Sequence, residues 1–255
     1  MIAGGSSYYD DPVEMTEVIE LVKTNSTPSF GQLPSRRFSA VGAMFGNIPI
    51  LCGGWGGDML SCYDSCISFQ NSQWSQSHSM KQKRSYPVGV QINSTTFWIL
   101  GGYYRSGSND VNHDSTEFII EGQTNAVSGP KLPLALSKMC VVKLSDEEIF
   151  VIGGWDGNIE RNEVWIYNPQ NGFARNQGPS LKNRRNAHSC STMRDGEKTF
   201  IIVAGGWNGA ARMEMDSVEI YNPTDNAWNS GKIYPPPQPK IKSFIYLHIS
   251  ISNPK

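Results

Sequence analysis

The chain has no excess of either charge: 22 lysines and arginines stand against 23 aspartates and glutamates, for a net charge of −1, and no stretch gathers basic residues into a stripe. Nucleic acid, which needs such a stripe, is excluded as a partner on this reading. No apolar run approaches the roughly 20 residues that span a bilayer, so no membrane partner is expected. Met1-Ile-Ala-Gly-Gly has neither the charged start nor the apolar segment of a signal peptide. That reads as cytoplasmic for the chain as written, with a secreted protein as the alternative if the N-terminus is truncated.

Catalytic signatures are missing too. There is no Gly-x-Ser-x-Gly elbow, Walker loop or His-Glu-x-x-His. His78, His113, His188 and His248 fall in different parts of the chain with no second ligand at close spacing. The five cysteines, Cys52, Cys62, Cys66, Cys140 and Cys190, form no Cys-x-x-Cys pair. A zinc or thioredoxin-type site is therefore not indicated. Cys52 and Cys62 either bridge neighbouring strands or stay as buried thiols, and the thiol reading is favoured. Asp110-Val-Asn112-His-Asp114 superficially resembles a calcium loop, but Ser115 stands where that loop needs glycine, and an exposed loop is expected. No catalytic residue, metal or cofactor is expected.

What the sequence does contain is a repeat. Double glycines end at Gly5, Gly54, Gly102, Gly154 and Gly206, at intervals of 49, 48, 52 and 52 residues. All but the first pair follow an apolar run: Ile48 to Cys52, Phe97 to Leu100, Ile149 to Ile152 and Ile201 to Ala204. Short continuous apolar runs suit strands covered on both faces, and glycine suits their ends, where φ turns positive or a side chain would clash. The segment from Asp11 carries helix-start residues, but repeat register makes it a strand. Two Asn-x-Ser/Thr sequons, at Asn25 and Asn93, fall in turns away from the glycine loops, an arrangement that suits a secreted, glycosylated binder.

An apolar strand, Gly-Gly, a loop such as Trp155-Asp-Gly157, then spaced aromatics such as Tyr221 and Trp228 resemble the kelch repeats. The resemblance implies an all-β, kelch-type β-propeller of about five four-stranded blades. It is expected as one domain over 1–255, with units near 1–35, 36–83, 84–135, 136–183 and 184–234 and a tail over 235–255. The strand-like run from Lys242 to Ser250 would close the ring by completing the first blade. A fragment of a larger propeller is the rival reading.

Ring symmetry would bring the residues after each double glycine, Trp55, Tyr103, Trp155 and Trp207, to one face. Arg36, Arg84 and Arg184, which open the first strands, would join them. Aromatics and arginines are the usual anchors of interfaces, and kelch propellers often bind partner peptides on this face. The resemblance thus implies a surface that binds a protein or peptide, and with no catalytic set in the sequence no enzymatic activity is expected. An adaptor role with a ubiquitin ligase would need another chain. The alternatives are a galactose-oxidase-like enzyme with a multi-blade site and a secreted carbohydrate- or protein-binding propeller. The competing structural role is that the aromatics cover gaps between blades and the arginines satisfy loop carbonyls.

Overall fold

The strands Ile48–Cys52, Thr96–Leu100 and Ile149–Trp155, which lead into or through double glycines, are apolar because nearly all of their residues are buried, on both faces. The computed structural model describes residues 2–3, 16–17, 31–56, 62–106, 109–173 and 178–232, and among these every regular element is a strand. The chain divides into two compact units, Met1–Ser137 and Lys138–Lys255.

In the first unit, β1 (Ile2–Ala3) pairs antiparallel with β2 (Thr16–Glu17). Thr16 and Glu17 therefore adopt the strand that register favoured over a helix, and two paired residues precede the first double glycine. A four-stranded meander follows: β3 (Val41–Phe45), β4 (Ile48–Cys52), β5 (Ser65–Gln70) and β6 (Gln73–Ser79). The next meander is β7 (Val88–Asn93), β8 (Thr96–Leu100), β11 (Thr116–Ile120) and β12 (Val127–Ser128). The hairpin of β9 (Tyr103–Ser106) and β10 (Asn109–Asn112) rises between β8 and β11.

Successive β4 residues serve opposite faces, as the two-residue strand period requires. Ile50 and Cys52 join a core with Phe97, Ile99 and Ile119 of the other sheet, while Leu51 packs with Leu33, Ile67 and Trp74.

The second unit holds two further meanders. One is β13 (Cys140–Lys143), β14 (Ile149–Trp155), β15 (Glu160–Asn168) and β16 (Gly172–Phe173). The other is β17 (Ser189–Asp195), β18 (Lys198–Ala204), β21 (Ser217–Asn222) and β22 (Ala227–Lys232), with the hairpin of β19 (Trp207–Asn208) and β20 (Met213–Glu214) inserted. Phe150, Ile152 and Val164 of one sheet share a core with Ile201, Val203, Tyr221 and Trp228 of the other. The spaced aromatics of the repeat are cross-strand pairs at the hairpin between third and fourth strands: Tyr221 opposite Trp228 with rings 5.4 Å apart, and Phe69 opposite Trp74 at 5.5 Å. The Trp228 indole donates to the Pro179 carbonyl at 2.7 Å.

Cysteine pairing departs from the expected pattern. Cys52 is bonded to Cys66, its direct cross-strand partner on β5, and Cys140 to Cys190, linking the first strands of neighbouring sheets. Cys62 is the free, buried thiol. It precedes β5 and pairs by backbone with Trp55, three positions beyond Cys52, so the Cys52–Cys62 bridge does not form and neither Cys52 nor Cys66 is a thiol. The expected closing strand at 242–250 and the Asn25 sequon lie outside the described residues.

Candidate functional site

The double glycines fix how every candidate residue is presented. Gly53 and Gly54 have φ of 68° and 96°. A Cβ on Gly53 would stand 2.7 Å from the Arg84 carbonyl oxygen, and one on Gly54 2.9 Å from that of Phe38. Only glycine satisfies both demands. The close approach lets the Gly54 amide donate to the Arg84 carbonyl at 2.7 Å, tying one sheet to the start of the next.

The residue after three of the pairs is then held by a reciprocal backbone bridge, while Trp155 pairs with Glu160 inside its own sheet. Phe38 and Trp55 exchange hydrogen bonds at 2.9 and 2.8 Å, Ser85 and Tyr103 at 2.8 Å both ways, and Asn186 and Trp207 at 3.1 and 2.9 Å. These bridges set the register of the repeat. The residues preceding the bridge are Arg37, Arg84 and Arg185.

That register corrects the expected arginines. Arg36 and Arg184 are exposed neighbours of the structural residues Arg37 and Arg185, and Arg84 is fully buried. Arg84 donates from Nη1 to the carbonyls of Gly101 (2.6 Å) and Ser115 (2.9 Å), and from Nη2 to the Ser115 hydroxyl (2.8 Å) and Glu117 (2.9 Å). Glu117 in turn accepts from the amides of Lys81 (2.6 Å) and Gln82 (3.1 Å).

Arg185 repeats the arrangement with Gly205, Ser217 and Glu219, whose carboxylate takes the amides of Lys182 and Asn183. Burial lowers the pKa of both guanidinium groups, and the facing carboxylates oppose it. Arg84 thus clamps the loop between sheets and has no donor left for a partner. Arg37 binds Gly53 and Ser65 in the same way, but Ile67 stands where the others have glutamate, and its guanidinium lies 4.3 Å from the Tyr63 ring centroid. Burial brings its pKa down to about 10, with Tyr63 and Asp64 opposing.

The aromatics have the opposite character. Trp55, Tyr103, Trp155 and Trp207 are all half-buried, each at the end of a strand or the start of a hairpin. In the first unit Tyr103 stacks on Tyr86 at 5.6 Å, and Tyr86 meets Phe38 edge-on at 5.5 Å. Burial, with Tyr86 and Asp110 nearby, raises the Tyr103 pKa.

Tyr86 itself has φ of 50°, a left-handed conformation disfavoured for a bulky side chain. Ser39, Lys138 and Ala187 share that conformation. The Tyr86 amide donates to the Ser39 carbonyl at 3.1 Å, and Ala187 to Lys138 at 2.7 Å. Phe38 and Tyr86 were missed from the sequence. They stand one and two places after the structural arginine, a signal visible only once Arg37, rather than Arg36, is matched to Arg84.

In the second unit Trp155 closes a hairpin against Glu160. Asp156 caps the turn, accepting from the amides of Asn158 (2.7 Å) and Ile159 (2.8 Å) and pairing with Arg161. Burial raises the Asp156 pKa, but those two amides and Arg161 outweigh it and hold the carboxyl below its usual value. Buried Glu160 accepts from the Asn186 side chain at 3.2 Å, and Asn186 bridges to Trp207. Through these groups the unit brings the Trp155 and Trp207 loops together.

Among the described residues, no three His, Cys, Asp or Glu side chains are grouped to hold a metal ion. Asp110 lies on β10 and pairs with Arg105 at 3.0 Å. His78 contacts the Ser77 hydroxyl and Ile120 carbonyl, and His113 the Lys83 carbonyl. His188 is wholly buried with no well-formed hydrogen bond to either ring nitrogen. Burial first, then the Arg185 charge, lowers its pKa to about 3, with the Ile152 backbone partly opposing. His248 lies outside the described residues.

The kelch motif matches residues 138–172 and 201–232. No curated protein matches the sequence. Among solved structures, one titled "Structure of YjhT" is similar in fold, with a TM-score of 0.70 at 11% identity, covering 84% of this chain and 76% of that one.

Proposed function

The chain belongs to the kelch-repeat β-propellers, and from that premise we propose that it is a protein-interaction module. In this reading it forms one propeller domain over 1–255. It captures a protein or peptide through the loops after its double glycines and performs no chemistry of its own. The observation that carries this is the half-buried aromatic run Phe38–Tyr86–Tyr103, held by backbone bridges and centred on a tyrosine with a positive φ. Strained, rigidly held aromatics offer contact area at little entropic loss, which is what anchor residues do. Trp55 beside them, and Trp155 with Trp207 in the second unit, extend the same kind of surface. Of the three expected arginines, Arg36 and Arg184 are exposed and Arg84 is buried, so Arg84 is not among the contacts.

The test is capture of partners from the native source by the intact chain and by two variants, with bound proteins identified by mass spectrometry. Tyr86→Ala/Tyr103→Ala and Trp155→Ala/Trp207→Ala are expected to lose at least tenfold in captured partner while melting within a few degrees of the parent. Unfolding of both variants would assign the aromatics to the core and remove the site.

A further inference from the structure

We propose that Asn93 carries an N-linked glycan, and that the chain receives this glycan and its two disulfides in the same oxidising compartment. Asn93-Ser94-Thr95 is an acceptor sequon at the tip of the β7–β8 hairpin, and all three residues are exposed. The Thr95 hydroxyl donates to Asn93 Oδ1 at 3.1 Å and the Thr95 amide donates to the same oxygen at 3.0 Å. The tripeptide is thereby closed on itself with the carboxamide oxygen engaged, while Asn93 Nδ2 makes no hydrogen bond among the described residues. An exposed, preformed tripeptide with an open amide nitrogen is what an oligosaccharide transferase needs.

The donor in this step is a lipid-linked oligosaccharide pyrophosphate. Asn93 Nδ2 forms a bond to the anomeric carbon, the bond from that carbon to the pyrophosphate oxygen breaks, Nδ2 gives up one proton, and the lipid pyrophosphate leaves.

The disulfides carry the compartment independently. Cys52–Cys66 and Cys140–Cys190 persist where thiols are not kept reduced, which is also where such glycosylation occurs. Each forms as two thiols give two electrons and two protons to the disulfide of an oxidoreductase, which becomes a dithiol. The free Cys62 is buried, and burial raises its pKa, so it is poorly placed to scramble them.

Asn93 and Tyr103 lie beyond opposite ends of β8, a five-residue strand, spanning about 16 Å at roughly 3.3 Å per residue. A glycan at Asn93 therefore leaves the aromatic loops open, and this proposal does not depend on the partner reading.

The experiment is peptide mapping of the chain purified from its native source, after peptide:N-glycosidase treatment in ¹⁸O-water without reduction. The expected result is ¹⁸O-labelled aspartate at position 93, on molecules whose 52/66 and 140/190 peptides remain cross-linked. An unlabelled Asn93 overturns the proposal, and so does labelling on molecules whose cysteines are all free to alkylate. When the chain is secreted from cultured eukaryotic cells, in an Asn25→Gln background, Thr95→Ala should abolish occupancy at Asn93. Thr95→Ser should keep it, and occupancy in Thr95→Ala would sink the sequon as its cause.

Discussion

Arg37 and Arg84 occupy the same place in successive sheets, yet they are stabilised differently. Both are buried and both donate to the carbonyl of the first glycine and to a serine at the start of the third strand. Arg84 adds Glu117, which also holds the loop amides of Lys81 and Gln82. Arg37 has Ile67 at the glutamate's position and leans on Tyr63 instead. Arg185 with Glu219 follows Arg84. In the remaining four-stranded sheet, β13 to β16, the arginine position is Leu136 and the glutamate position is Trp165, so both charges are absent together. Buried charge in this repeat is kept as a pair, screened by a ring, or dispensed with. Among the described residues, the buried arginine at this position has a carboxylate or a ring against it, as the desolvation of an isolated ion requires.

Substitutions can break this comparison. The largest effect is expected for Glu117→Ala, which strands a fully buried guanidinium and two loop amides. Urea unfolding should show a loss of about 3–5 kcal/mol, typical of breaking a buried pair by removing one partner. A loss under about 1 kcal/mol would mean that water or another group takes over the site.

The second largest is a pH effect confined to the Arg185 site. There His188 fills the place that Ala40 and Pro87 hold beside the other arginines. An unfolded histidine takes a proton near pH 6.5, whereas the buried ring stays neutral to about pH 3. The unfolded state therefore binds the extra proton between these limits. Stability is full above pH 6.5 and is lost as pH falls toward 3. The urea midpoint of wild type should fall steadily relative to that of His188→Phe as pH is lowered from 7 to 4. A constant difference would show that the ring protonates in place.

The smallest is Arg37→Met. It removes donors from the Gly53 and Ser65 carbonyls but strands no carboxylate, so about 1–3 kcal/mol is expected in the same unfolding assay. A loss as large as that of Glu117→Ala would erase the distinction between the two arginines.

Much of the fold was readable from the residues. Gly53-Gly54, Gly101-Gly102 and Gly205-Gly206 marked strand ends, whereas at Gly153-Gly154 β14 runs on to Trp155 across a shift in register. Tyr221 and Trp228 marked a hairpin because they face each other across it. The site was less readable, for a reason of register. A doubled arginine, Arg36-Arg37 or Arg184-Arg185, offers two candidates, and only backbone bridging shows that the second is the buried one. Exposure followed the same rule: Arg84 looks like an interface residue by type, but Glu117, which lies 33 positions away and buries its charge, carries no local signal. The Cys52–Cys66 bond is legible only after strand register is known, since Cys62 is nearer in sequence.

Labour is divided within one repeat position: the arginine holds the sheets together, and in the proposed function the neighbouring aromatic meets a partner. The most direct measurement places a photo-crosslinking residue at position 103, beside the aromatic run, or at exposed Glu121, in the turn beyond the far end of β11. Expected is a covalent adduct to one defined partner from position 103 and none from 121. Equal labelling from both positions, or labelling from 121 alone, would contradict it.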